Sequence, residues 1–221
     1  MVVTGTAGSG KSYLIKGLVK AVRTYYNTNK VVQVLCPTGN SANLISGVTI
    51  HSFLKIPIKT KSKEMTPPDG SKGEILQENL KNFKVLLVDE RSLIGAITLG
   101  WMEFMCRCGM AGTSNLSQSW GGLPVVVFFG DDVQLPPVLD SPVYICKSQI
   151  PAAIHGVLVW KEFTHAVAVR TVVRQGNDEN TFKQILTDLR QYNLSPQQAN
   201  GYKTSSGPTC PFRMVMICYN V

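Results

Sequence analysis

Gly5-Thr6-Ala7-Gly8-Ser9-Gly10-Lys11-Ser12 is a complete G-x-x-x-x-G-K-[ST] phosphate loop. Val2 and Val3 just before it read as the end of a strand. Residues 13–22 just after it read as a helix with Leu14, Leu18, Val19 and Val22 on one apolar face. Strand, glycine loop and helix form the context this motif requires. The glycines let successive backbone N–H groups curl around a phosphate, and the helix start adds positive potential. In that frame Lys11 reaches the β- and γ-phosphates, and the Ser12 hydroxyl holds Mg²⁺. The plainer reading, a chance glycine turn before a helix, leaves the completeness and placement of the motif unexplained. The chain is therefore expected to bind a nucleoside triphosphate through Gly5, Thr6, Ala7, Gly8, Ser9, Gly10, Lys11 and Ser12.

The 221 residues suffice for one large α/β domain, or one domain and part of another. A hydrophobic content of 44% supports a core, and no apolar run reaches membrane-spanning length. No secretory or transit signal is read, because the chain opens on the strand before the phosphate loop; that abrupt start predicts a truncated N-terminus. The formal charge of +8 favours anionic partners, nucleic acid first. The six cysteines form no C-x-x-C pair and read as ordinary buried thiols of a reducing compartment.

Short apolar runs at 31–35, 85–88 and 125–129 read as further strands, with helical patterns between them. Strands alternating with helices predict a parallel sheet covered on both faces. Ligands bind such sheets at the carboxyl ends of the strands, where the polar clusters here lie. Residues 55–72, rich in lysine and holding Pro67-Pro68, read as an exposed loop. Residues 177–191 read as a helix with Phe182, Ile185, Leu186 and Leu189 inward, 194–209 as a linker, and 213–218 as the start of a new strand.

Leu86-Leu87-Val88-Asp89-Glu90 has the form of a Walker B element. Asp89 suits the metal, and Glu90 suits general-base work on the attacking water. Gly130-Asp131-Asp132-Val133-Gln134-Leu135-Pro136-Pro137 follows the next strand. Gln134 can bond a γ-phosphate oxygen, although a rigid strand-exit turn also explains this segment. Thr38, Gly39, Thr49 and His51 lie in segments with hydroxyls and free N–H groups suited to nucleic-acid phosphates, and Phe53 offers a stacking face. Helix caps and internal packing are the equally simple alternative. Arg174, in Val172-Val173-Arg174-Gln175, is either a surface charge or an arginine that enters the nucleotide site from a flank.

Taken in order, GTAGSGKS, CPTGNSANLISGVTIHSF, LLVDERS, GGLPVVVFFGDDVQLPPV and VVRQGNDENTFKQILTDLR resemble the Pif-type, RecD-like branch of superfamily 1 DNA helicases, in its eukaryotic and Helitron-like form. The resemblance implies an α/β P-loop NTPase with a RecA-like parallel sheet and helices on both faces. The first motor domain would fill residues 1–200, and residues 201–221 would begin a second. It implies ATP and Mg²⁺ as cofactors and 5′ to 3′ unwinding of DNA, single-stranded or with a duplex junction, by a monomer that binds no membrane. It also implies service in repair, recombination or telomere upkeep, inside the cell, in nucleus or mitochondrion of a eukaryote. By motif match Lys11, Glu90, Gln134 and Arg174 are catalytic, Ser12 and Asp89 hold the metal, and Thr38, Gly39, Thr49 and His51 touch DNA.

Two positions depart from the family. Arg91 stands where a small or apolar residue is usual and Asp132 where phenylalanine is usual, and both charges are expected to weaken packing beneath the site. The family's upstream glutamine segment and most of its second motor domain are missing from the sequence, so the chain alone is expected to bind nucleotide weakly and unwind nothing. Two other functions compete with this reading: a non-catalytic nucleic-acid-binding remnant of a helicase, and a small-molecule kinase. The intact Lys11, Asp89, Glu90 and Gln134 speak against the first, and the G-D-x-x-Q-L-P-P segment has no use in the second.

Overall fold

The valine- and leucine-rich runs become the strands of one sheet. The computed structural model describes residues 1–57, 64–110, 117–131, 133–145 and 147–171, with Gln184, Asp188 and Asn193 besides. The chain divides into two compact units, Met1–Arg174 and Gln175–Val221. In the first, β1 (Val2–Gly5), β2 (Val32–Cys36), β3 (Val48–Thr49), β4 (Val85–Val88), β5 (Val125–Gly130) and β6 (Ala166–Val169) form a six-stranded sheet in the order β3-β2-β4-β5-β1-β6. Every pairing is parallel. The register sets Val2 beside Phe128 and Leu87 beside Val127.

Side chains alternate across a strand, so each strand feeds two cores. Leu35, Leu86, Val88 and Phe128 belong to one, packed by α3 (Ile50–Leu54), α4 (Gly70–Leu80), α5 (Ala96–Met110) and α6 (Pro151–Lys161). Val34, Leu87, Val127 and Phe129 belong to the other, packed by α1 (Lys11–Tyr26) and α2 (Gly39–Leu44). Helices thus cover both faces. Strands buried on both sides read as unbroken apolar runs, and β4, VLLV, is buried at every residue.

Helix α1 is longer than the expected 13–22 at both ends. It starts at Lys11, directly on the left-handed Gly10, and stops where Asn27 turns left-handed at φ 50°. The stretch read as a loop over 55–72 ends sooner, because Gly70 already opens α4. Strands β3 and β6 were not anticipated. Of the helix expected over 177–191, Gln184 and Asp188 are described; both are helical, and Gln184 Nε2 donates to Asp188 Oδ1 at 2.8 Å. The rest of that helix, the linker, the strand over 213–218, Asp132 and Arg174 lie outside the described residues. Among the described residues no helix is long and apolar enough to cross a membrane.

Candidate functional site

The phosphate loop leaves β1 at Gly5 and enters α1 at Lys11. Gly8 (φ 80°) and Gly10 (φ 88°) take left-handed backbone that a Cβ would strain. Gly10 caps α1 with no side-chain bond, so the first N–H groups of the helix stay open to an acceptor. Lys11 Nζ donates to Gly5 O at 2.7 Å and Thr6 O at 2.9 Å, and Ser9 N–H donates back to Thr6 O at 3.2 Å. These bonds arch the loop. A Cβ on Gly5 would come within 2.6 Å of Ser9 Oγ and 2.8 Å of Val169 O, so the first glycine is fixed by close packing. Thr6 Oγ1 is buried with no hydrogen-bond partner among the described residues, a spare donor for a phosphate oxygen.

Strand β4 runs straight into the acid pair. Asp89 is 8% exposed, and its Oδ1 accepts from Glu90 N–H at 2.9 Å. Burial pushes the Asp89 carboxyl above its ordinary range; the Glu90 N–H bond and the Lys11 charge pull against this, and the Glu90 charge adds to it. Glu90 is left-handed (φ 53°), a twist that separates it from the strand direction of Asp89. The next strand exit is held by Asp131, which is 3% exposed. Its Oδ1 accepts from Val133 N–H at 3.3 Å and its carbonyl from Gln134 N–H at 3.1 Å, leaving Gln134 exposed on the turn.

These three strand exits meet. A cleft of about 570 Å³ is lined by Lys11, Ser12, Asp89, Glu90 and Gln134, with Ser41 from the start of α2. Sequence reasoning identified the first five; it missed Ser41, and it missed Tyr13, Leu44 and Ile45, which line the same cleft. Nothing in the sequence marked Leu44 and Ile45, whereas Tyr13 adjoins the phosphate loop. The donor set fits a nucleoside triphosphate: open N–H groups, an ammonium, hydroxyls and two carboxylates suited to a hard cation.

Arg91 does not loosen the packing as expected. It is 6% exposed, and its guanidinium lies 5.0 Å from the centre of the Trp160 ring. The aromatic face takes the charge that an apolar residue would have avoided.

The segments expected to touch DNA are placed as follows. Thr38 caps α2, its hydroxyl accepting from Ser41 N–H at 3.3 Å and lying 2.6 Å from Ser41 Oγ. Thr49 caps α3 by accepting from Ser52 N–H at 3.4 Å. Phe53 packs edge-on against Phe83 at 5.5 Å, so its ring belongs to the interior. Thr38, Gly39 and His51 are exposed, and Thr49 is half-buried. Arg174 lies outside the described residues.

A family model described as PIF1-like helicase matches residues 1–199. The ATP-dependent DNA helicase PIF1 of Emericella nidulans is 30% identical over 206 residues, 93% of this chain and 26% of that protein. The ATP-dependent DNA helicase Pif1 of Bdellovibrio bacteriovorus is 35% identical over 188 residues, 85% of this chain and 39% of that protein. The Bacteroides Pif1 helicase crystallised with ADP-AlF3 and single-stranded DNA superposes with a TM-score of 0.64 at 27% identity, covering 90% of this chain and 44% of that one. The chain thus spans less than half the length of each of these proteins.

Proposed function

The chain belongs to the PIF1-like helicase family, and from that premise we propose that it supplies the first motor domain of an ATP-dependent DNA helicase. The observation that carries this reading is the meeting of Lys11, Ser12, Asp89, Glu90 and Gln134 in one cleft at the carboxyl ends of β1, β4 and β5. The loop N–H groups from Gly5 to Gly10 and the Lys11 ammonium bind the phosphates. Ser12 and Asp89 hold Mg²⁺, which neutralises charge on the phosphate oxygens when bound. Glu90 takes a proton from the attacking water, and Gln134 reports the γ-phosphate. Arg174 offsets charge that develops on the transferred group. Domain limits of 1–200 and 201–221 go with this reading.

DNA is the proposed partner, as a single strand or at a duplex junction, travelled 5′ to 3′ by a monomer. Thr38, Gly39 and His51 are the exposed candidates for contact, with the half-buried Thr49 beside them. Charge supports a polyanion: residues 1–63 contain nine Lys and Arg and no Asp or Glu. Upkeep of DNA in the nucleus or mitochondrion of a eukaryotic cell follows, in repair, recombination or telomere maintenance.

The test is ATP hydrolysis with and without single-stranded DNA, beside Lys11→Ala. Stimulation by DNA, and a loss of about 100-fold or more in the variant, are expected. Hydrolysis that survives the loss of Lys11 would refute the site.

A further inference from the structure

Gln134 lies on a loop, yet a γ-phosphate sensor needs a fixed position relative to Glu90. The loop is pinned at both ends. At its start, Asp131 holds the turn through Val133 and Gln134 N–H. Pro136 and Pro137 then stiffen the chain. At its far end stands Asp140, which no part of the proposed chemistry uses.

The Asp140 carboxylate reaches across to the start of α5. Its Oδ1 accepts from Ile97 N–H at 3.0 Å, and its Oδ2 accepts from Thr98 N–H at 3.0 Å and Thr98 Oγ1 at 3.2 Å. Ser141 N–H closes the turn on Oδ1 at 2.7 Å. Beside it, Ala96 N–H donates to Ser141 O at 2.8 Å, and Gly95 bridges antiparallel to Pro142. A Cβ on Gly95 would run into the Asp140 carboxyl, so the two segments lie in direct contact. Leu139 is left-handed at φ 58°, a conformation a leucine keeps only where its neighbours fix it.

The partner segment is the one that leaves Glu90. From Glu90 the chain makes a tight turn through Arg91–Leu93 and reaches Gly95 and α5 directly. Gly130, at the base of the Gln134 loop, packs on that same turn, with room for no Cβ beside Arg91. Two short arms, one bearing Glu90 and one bearing Gln134, are therefore joined at the α5 N-terminus.

We propose that Asp140 is a positioning residue for the nucleotide site: by capping α5 it fixes Gln134 relative to Glu90, so that the γ-phosphate is sensed. This rests on the nucleotide reading above. The measurement is the ratio of dissociation constants for fluorescently labelled ADP and a non-hydrolysable labelled ATP analogue, on the whole chain, with melting temperatures alongside. Asp140→Asn is expected to lower this ratio about 5-fold or more while leaving ADP affinity unchanged. Thr98→Val, a milder cut in the same clamp, is expected to lower it in the same direction. Leu76→Ala, a core variant far along the chain from the clamp, is expected to lose as much melting temperature with the ratio intact. Asp140→Asn added to Gln134→Ala is expected to change the ratio no further, because the first acts through the second. A ratio within twofold of the parent in Asp140→Asn and Thr98→Val, or an additive loss in the double variant, overturns the clamp. Lys11→Ala separates the two ideas: if it binds both nucleotides like the parent, the nucleotide reading fails and the clamp fails with it. If binding is lost there while Asp140→Asn keeps its ratio, only the clamp fails.

Discussion

Asp89 sets function against stability. Its carboxyl is buried at the end of β4, and burial raises its pKa despite the Glu90 N–H bond and the Lys11 charge. A carboxyl whose folded-state pKa is raised contributes stability below its ordinary pKa and loses it as pH rises through the raised value. The contribution of this carboxyl to stability therefore falls as pH rises. Asp89→Asn is expected to raise the melting temperature at pH 7, with a smaller gain as pH falls into the carboxylate range. The same variant is expected to abolish Mg²⁺-dependent hydrolysis. A melting scan from pH 4 to 8 beside a hydrolysis assay checks both. Asp89 was legible because its motif is contiguous: an apolar run, then two acids. The fate of Arg91 was not. Its charge settles on Trp160, a residue brought beside it only by the folding of α6, and no local pattern announces that contact.

Helices α5 and α6 cross so closely that side chains are excluded. A Cβ on Gly100 would strike Ala152 O, and one on Gly156 would strike Ala96 O. Gly156→Ala is expected to cost about 2 kcal/mol or more, read as a lower urea midpoint. The same helices share a buried charge. Glu103 is 2% exposed; its Oε2 accepts from Arg107 at 2.9 Å and lies 2.6 Å from His155 Nε2, and its Oε1 accepts from Trp120 N–H at 3.0 Å. Burial pushes the carboxyl up, but the His155 and Trp120 bonds and the Arg107 charge outweigh it and hold the pKa below the ordinary value. Such a group gives stability above its ordinary pKa that is lost as pH falls through the depressed one. Glu103→Ala is expected to cost about 3 kcal/mol at pH 7, and the difference from the parent is expected to shrink on acidification. The central strands were legible as apolar runs because both faces are buried. β6, AVAV, is mostly exposed and among the described residues pairs on one side only, and β3 is two residues long. Edge strands commit too few side chains to leave a pattern.

For the whole molecule, strand order was beyond the sequence, since parallel strands are joined through crossovers and any strand can take either flank. Charge distribution was in plain view. With no acid before Glu64, the entire positive excess of the chain lies in its first 63 residues. Binding to single-stranded DNA is therefore expected to fall about tenfold or more between 50 and 200 mM salt, the slope for roughly three neutralised phosphates, as titration by fluorescence anisotropy would show. A slope near zero would leave the acid-free stretch without this role. Trp101, Trp120 and Trp160 are the three tryptophans of the chain, and all pack with the α5–α6 side of the sheet. Trp160 carries the Arg91 guanidinium on its ring, one residue along from Glu90. Tryptophan emission from this protein thus comes from one half of the sheet and bears the imprint of a cation joined directly to Glu90. A shift of Glu90 would alter the brightness of Trp160, giving stopped-flow optics a built-in indicator that needs no attached dye.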